Sequence, residues 1–466
     1  RRYDRSNQQM RPTISCRLCL TQPSSSIPPP YPRVPIDDND RLMRLDLDLT
    51  HIKDVRFGGK TVIESDVLVI DREELASLLE AEPLFDHVEI ELAHPGESCR
   101  IIHVLDVVEP RYRLNGPNFP GALDPNGLVG DGHTRALKNV AVVETDKLAT
   151  RRQNIIDMSG PAAAYSPVCN THNVVLMAYP KPGADKDDYR LAVKKAGLKA
   201  SAYLAAAAKD IAPHETQIFE LAPVALNQGP KDLPRIAYIF PMHSHQHPTQ
   251  QNEPVFYGSN IQGFMPTIVH PNEILDGALM FSYSAFTWFA QNHPVIHELY
   301  RRHGRDLWFA GVVLTVAPVT VFEKERNAYF CARLAKETLA ADGIIATKIG
   351  GGAVDTDLMM IYTRCEEMGI KATLIIMERY PDTGITFVPT NVNALVTPGL
   401  TRDAITLPAV DRVIGGDRLA VDNSNPDNSS PEITLVPANE ELNLWIGDIV
   451  GAISQVGASR LTTYMS

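Results

Sequence analysis

From Ala310 to Met377 the chain alternates between two hydrophobic periods with almost nothing between them. Ala310–Val316 is a run of strand formers, Glu323–Ala341 has apolar residues at helical spacing, and Gly343–Ile349 returns to a strand. Asp355–Met368 is then helical and Ala372–Met377 a further strand. Strands that alternate with helices across short connections must cross over right-handedly and lie parallel. A second unit of this kind starts at Ile236–Phe240. Few folds other than α/β accept that pattern.

Upstream the pattern differs. The stretch MRLDLDLTHI from Met43 sets Leu45, Leu47 and Leu49 against Asp46 and Asp48, the period of a half-buried strand. Asp71 is placed to cap a helix reaching about Glu80, with Glu73 and Glu74 in its first turn. His87–Leu92 and Ile101–Val108 read as strands, and an amphipathic helix is expected from about Tyr189 to Lys209. The expected fold is therefore α/β, with a β-rich N-terminal α+β region followed by parallel-sheet α/β units. At 466 residues several domains are expected. The division reads as a disordered tail over 1–42, an α+β domain over 43–230 and an α/β domain over 231–466.

The formal charge of −12 disfavours a nucleic-acid partner, because phosphates are repelled at long range. The longest apolar run, Trp308–Phe322, contains Gly311 and Pro318 and is too short to span a bilayer. With no charged-then-apolar leader in view, a cytoplasmic protein with no membrane association is expected. Six scattered cysteines make no disulfide framework. Cys16-x-x-Cys19 has the spacing of half a zinc site, but in Ser- and Pro-rich surroundings it reads as an incidental pair. Cys169, beside His172, is the thiol placed where chemistry could use it.

Two motifs carry chemistry of their own. His243, His245 and His247 occupy alternate positions just after a strand, so continued extension puts three imidazoles on one face. Such a set suits a divalent metal such as zinc, with Glu253, His270 or Cys169 as distant ligands or bases. The alternative is a polar loop of hydrogen-bonded histidines. Gly350-Gly351-Gly352 followed by Asp355 and Asp357 lies between a strand and a helix, where backbone N–H groups can approach a ligand. It lacks the lysine of a phosphate-binding loop, and the two acids oppose an anion. Capping by Asp355 is the simpler reading.

Several blocks, in order, carry a family resemblance. They are RLDLDLTHIKDVRFGGKT, the segment Ala93–Ser98, IIDMSGP, the stretch PTIVHPNEILDGALMFSYSAFTWFAQNHPVIHELY from Pro266 to Tyr300, and the glycine turn with Asp355-Thr356-Asp357. Over about Met43 to Ser466 the chain resembles the fused α/β precursor of component B of glycine, sarcosine and betaine reductases, with D-proline reductase as a more distant relative. In that family the precursor cuts itself at an Asn-Cys bond within the equivalent of Phe281 to Phe286. The new N-terminal residue becomes a pyruvoyl group that captures an amine.

The pair in register here is Tyr283-Ser284. The resemblance thus implies Ser284 as pyruvoyl precursor and the Tyr283 carbonyl as the cut site. By their own spacing, His293 and His297 lie four apart near a helix start just after this segment and share a face, so either is placed to be the assisting base, with helix-surface residues as the alternative reading. Serine can perform this acyl shift where the backbone is strained and a base is at hand. The resemblance further implies a small amine or amino-acid substrate, reductive C–N cleavage, an oligomer, and a thiol- or selenol-bearing partner protein, since this chain has no selenocysteine. Two other readings stay open: a metal-dependent hydrolase or lyase using His243, His245 and His247 without self-cleavage, and a non-enzymatic subunit that holds a small ligand for another catalyst.

Overall fold

Alternating Leu and Asp at the start of the chain make a strand, but not one with a wet face. In the computed structural model, which describes residues 42–145, 154–244, 255–281, 285–349, 353–377, 394–397, 399, 402–422, 433–457 and 462–464, β1 (Met43–His51) buries both sides. Leu45, Leu47 and Leu49 enter the core on one side. On the other, Asp46 pairs with Arg44 at 2.7 Å, and Asp48 meets Arg135 at 3.1 Å and His133 at 3.0 Å. The expectation of a solvated acidic face is corrected: neighbouring cations cover it, so the carboxylates are buried in pairs.

The N-terminal elements follow in order: β2 (Asp54–Gly58), β3 (Val62–Glu64), β4 (Val67–Asp71), α1 (Arg72–Glu80), β5 (Phe85–Ala93), β6 (Cys99–Ile102), β7 (Val104–Val108), β8 (Arg111–Arg113), β9 (Gly132–Lys138), β10 (Val140–Thr145), β11 (Ile156–Asp157), β12 (His172–Pro180), α2 (Lys186–Ala206) and β13 (Glu215–Leu221). Asp71 caps α1 by accepting the Glu74 amide N–H at 2.9 Å. Asp185 caps α2 in the same way, accepting from Asp187 and Asp188. Three sheets have strand orders β13-β1-β9-β8, β5-β12-β10-β7 and β2-β4-β3, and β11 and β6 form a fourth with the strand Arg412–Gly415. Helix α2 lies on β10 at close range because Gly197 lacks the Cβ that would collide with the Glu144 carboxylate.

Beyond them come β14 (Arg235–Ser244), β15 (Thr267–Val269), α3 (Pro271–Leu275), α4 (Thr287–Gln291), α5 (Pro294–Arg302), β16 (Trp308–Ala317), α6 (Val321–Arg333), β17 (Gly343–Ala346), α7 (Ala353–Glu367), β18 (Lys371–Ile375) and β19 (Ala394–Thr397). Strands β16, β14, β17, β18 and β19 lie side by side and parallel. Antiparallel β15 and the strand Thr462–Tyr464 close the two edges of this sheet.

One apolar cluster runs from Leu45 through Phe240, Phe281 and Leu314 to Val456. A second sits between α1, α2 and the sheet that contains β12, and a third under α6 and α7. Full burial of a Phe or Leu side chain stabilises by about 1.5–3 kcal/mol. The shared cluster therefore fixes β14 against the segment around Phe281. No helix among the described residues is long and apolar enough to cross a membrane.

Candidate functional site

A carboxylate in an otherwise apolar strand and a lysine on the buried face of a helix need each other. Asp106, in the VLDVV of β7, and Lys194, in α2, are both buried. Their Oδ2 and Nζ atoms lie 2.8 Å apart. Lys194 stands three residues before Gly197, on the side of α2 that faces the sheet.

This pair grips both ends of a short segment. On the far side, Asp106 Oδ1 accepts the Thr287 N–H at 2.8 Å and Oδ2 accepts the Thr287 hydroxyl at 2.6 Å. The carboxylate thus caps α4, whose preceding residue, Phe286, offers no capping side chain. On the near side, the Lys194 ammonium donates to the Phe281 carbonyl, and the Phe281 N–H donates to Thr287 Oγ1 at 3.2 Å. Phe281 and Thr287 are six positions apart. Both are therefore pinned to one buried ion pair. Between them the sequence is Ser-Tyr-Ser-Ala-Phe.

Aromatic rings link this grip to the central sheet. Phe281 packs edge-on against Phe240 of β14, with centroids 6.0 Å apart. Phe240 in turn meets the His293 ring at 5.0 Å. His293 Nε2 is 3.1 Å from the Tyr238 hydroxyl, which also contacts Thr347 Oγ1 at 2.5 Å. Burial drives His293 down to about 3, and the nearby His297 adds to the effect. Burial likewise pushes His297 to about 4, followed by the charges of Arg111 and Lys138. Both imidazoles are neutral at ordinary pH. Protonating His293 near neutrality costs on the order of 5 kcal/mol, so its strength is as a fixed neutral hydrogen-bonding group.

The two histidines sit at the start of α5 and inside it, packed rather than displayed. His293 is the N-cap residue but makes no side-chain cap, and His297 lies edge-on to Phe219 at 5.0 Å. Tyr283 and Ser284 fall outside the described residues. His243 lies at the C-terminal end of β14, and His245, His247 and Glu253 lie outside the described residues. The strand that leads to these histidines is the one whose Phe240 touches Phe281.

Gly350, Gly351 and Gly352 are also outside the described residues, but Asp355 is within them. The helix begins at Ala353, so Asp355 stands in the first turn instead of at the cap, a correction to the capping role. Its carboxylate is 2.6 Å from Lys348 Nζ. Asp357 pairs with Lys324 in the same manner. The two acids are thus each paired with a lysine.

Two of the distant candidates, His270 and Cys169, lie within the described residues, and both are buried. His270 caps α3, with Nδ1 accepting from the Asn272 N–H and Nε2 donating to the Leu221 carbonyl. Burial raises the Cys169 thiol to about 12. Asp106 and Lys194 carried a signal that pattern reading passed over. Each is a charge at a position where the period demands an apolar residue.

The profile of the family described as glycine/sarcosine/betaine reductase component B subunits matches residues 43–463. The glycine reductase complex component B subunits alpha and beta of Acetoanaerobium sticklandii are 35% identical over 438 residues, covering 90% of this chain and 99% of that one. The sarcosine reductase complex component B subunit alpha of Peptoclostridium acidaminophilum is 36% identical over 388 residues, 80% of this chain and 89% of its own. From the same organism, the betaine reductase complex component B subunit alpha is 30% identical over 390 residues, with 80% and 88% covered. No solved structure matches. The chain belongs to the glycine/sarcosine/betaine reductase component B family.

Proposed function

We propose that this chain is the substrate-binding subunit of a reductase of this type. It takes a small amine or amino acid and prepares its C–N bond for reductive cleavage by a thiol- or selenol-bearing partner protein. The observation that carries the reading is the buried Asp106–Lys194 pair holding both Phe281 and Thr287, the residues that flank Ser284 in sequence. Serine self-processing requires the attacking hydroxyl and the preceding carbonyl to be held in an unfavourable backbone geometry. A segment anchored at both ends to one ion pair is suited to sustain that geometry.

The chemistry of the chain itself is an acyl shift. The Ser284 hydroxyl attacks the Tyr283 carbonyl, and the peptide C–N bond gives way to an ester with the proton passing to nitrogen. Elimination of the Tyr283 carboxylate leaves dehydroalanine, and its hydrolysis releases ammonia and leaves a pyruvoyl group. When formed, that group supplies an electrophilic carbonyl for an amine. Lys194 and Thr287 position the segment, and neutral His293, held by Tyr238, sits one aromatic ring away.

Mass spectrometry of the denatured full-length protein tests this. Two fragments that separate between residues 283 and 284 are expected, with Ser284→Ala remaining a single chain of 51.4 kDa. An intact wild-type chain in an active preparation overturns the processing step. A second reading has one observation in its favour: β14 delivers His243 at the C-terminal end of a parallel strand, where open α/β sheets bind ligands. It predicts a divalent metal lost on His245→Ala, with the chain uncut.

A further inference from the structure

Away from the Asp106 grip, three strand ends bring ligand-type side chains together. Strands β5 and β12 run antiparallel with Ala93 opposite Asn173, so His94 faces His172 one step further along. Their Nδ1 atoms lie 2.9 Å apart. Asp54, the first residue of β2, brings Oδ1 to 3.8 Å from His94 Nδ1. The three ligand atoms all fall within 4.8 Å of one another.

Hydrogen bonding fixes which nitrogen of His172 is bare. His172 Nε2 is 3.1 Å from the Lys53 carbonyl oxygen. A carbonyl only accepts, so Nε2 carries the hydrogen and the neutral ring presents a lone pair at Nδ1. That lone pair points at His94 Nδ1, and two bare nitrogens cannot face each other at this distance. Either one proton or one cation must lie between them. A histidine whose second nitrogen donates to a backbone carbonyl is the usual arrangement of a metal ligand.

We propose that Asp54, His94 and His172 bind a divalent cation of the zinc, cobalt or nickel class, clasping β2 to the ends of β5 and β12. Nitrogens at about 2.0–2.1 Å from a tetrahedral zinc stand about 3.3 Å apart, so the rings need part by only a few tenths of an ångström. The cation takes the place of the shared proton, which leaves to solvent. The His94 side chain is 38% exposed and that of Asp54 55%, which leaves room for water to complete the coordination. The backbone is already fixed, since the His94 N–H donates to Glu97 Oε2 at 3.0 Å and Asp54 Oδ1 accepts the Val55 N–H at 2.9 Å. None of these residues belongs to the processing segment, so this site and the reaction proposed above stand or fall separately.

The test titrates chelator-stripped full-length protein with Zn²⁺, and with Co²⁺ as a spectroscopic probe. Wild type is expected to take up one equivalent more than His94→Gln and His172→Ala, with Asp54→Asn binding at least about tenfold more weakly. Zinc should raise the melting temperature of wild type and leave that of His94→Gln unmoved. His245→Ala should keep the equivalent, which separates this cation from any held near residue 243. Equal uptake by wild type, His94→Gln and His172→Ala overturns the proposal, as does a wild type that takes up none. His94→Gln alters an exposed side chain, so it reads the site even if His172→Ala fails to fold.

Discussion

Two polar clusters in this molecule are built on opposite terms. Asp106, Lys194 and Thr287 are sealed from water, and they hydrogen-bond to one another and to the Phe281 backbone inside the protein. Asp54, His94 and His172 are half open, and their three ligand atoms lie within 4.8 Å of one another. A buried ion pair seldom adds much net stability, but it is costly to break. A cluster at the surface can change its occupant at little cost to the fold. The first is a fixture on which a segment is mounted, and the second has the build of a receptor.

The largest expected effect comes from breaking the fixture. Asp106→Ala leaves the Lys194 ammonium buried without its counter-charge and strips the cap from α4. A loss of about 3–5 kcal/mol is expected in denaturant unfolding, seen as a lower midpoint. The double change Asp106→Leu with Lys194→Met should lose less than either single change, because no unpaired charge remains. If the double variant is the least stable of the three, the pair is not the element that holds Phe281 and Thr287.

Next in size is the acid response of the interior around the fixture. Burial holds His293 at about 3, below its unfolded value of about 6.5. Below the unfolded value the unfolded chain binds a proton that the folded chain refuses, so stability falls as pH falls from 6.5 towards 3. Between pH 6.5 and about 5 the loss from this one group is about 2 kcal/mol. His293→Asn should flatten the stability-versus-pH curve by that amount across the window. A curve of unchanged slope would place the histidine in contact with water.

The sequence-level reading succeeded where the cause is local. Asp71 caps α1 because a capping side chain and its target amide are three residues apart, and the apolar run after Trp308 makes β16 because no charge interrupts it. It failed where the partner is distant. The paired acids of β1 look solvent-facing until Arg135 and His133 arrive from another strand. Asp106 meets Lys194 across 88 positions, and His94 meets His172 across 78. Period reports which side of an element is wet, and it is silent on what stands opposite. The proposed processing at Ser284 therefore rests on family likeness, while the groups that grip Phe281 and Thr287 came from tertiary pairing.

The smallest expected effect sharpens the comparison from its open side. With metal stripped, Asp54→Asn should change unfolding stability by no more than about 0.5 kcal/mol, as befits an exposed side chain whose ionic partners are half solvated. The same variant measured in excess zinc should fall behind wild type, because only the wild type gains from the bound ion. A receptor is silent when empty and stabilising when filled. A fixture costs the same in both conditions, so Asp106→Ala should show equal losses with and without zinc. If Asp54→Asn also lost equally in both, it would belong with the buried cluster, and the contrast between the two regions would reduce to one of exposure alone.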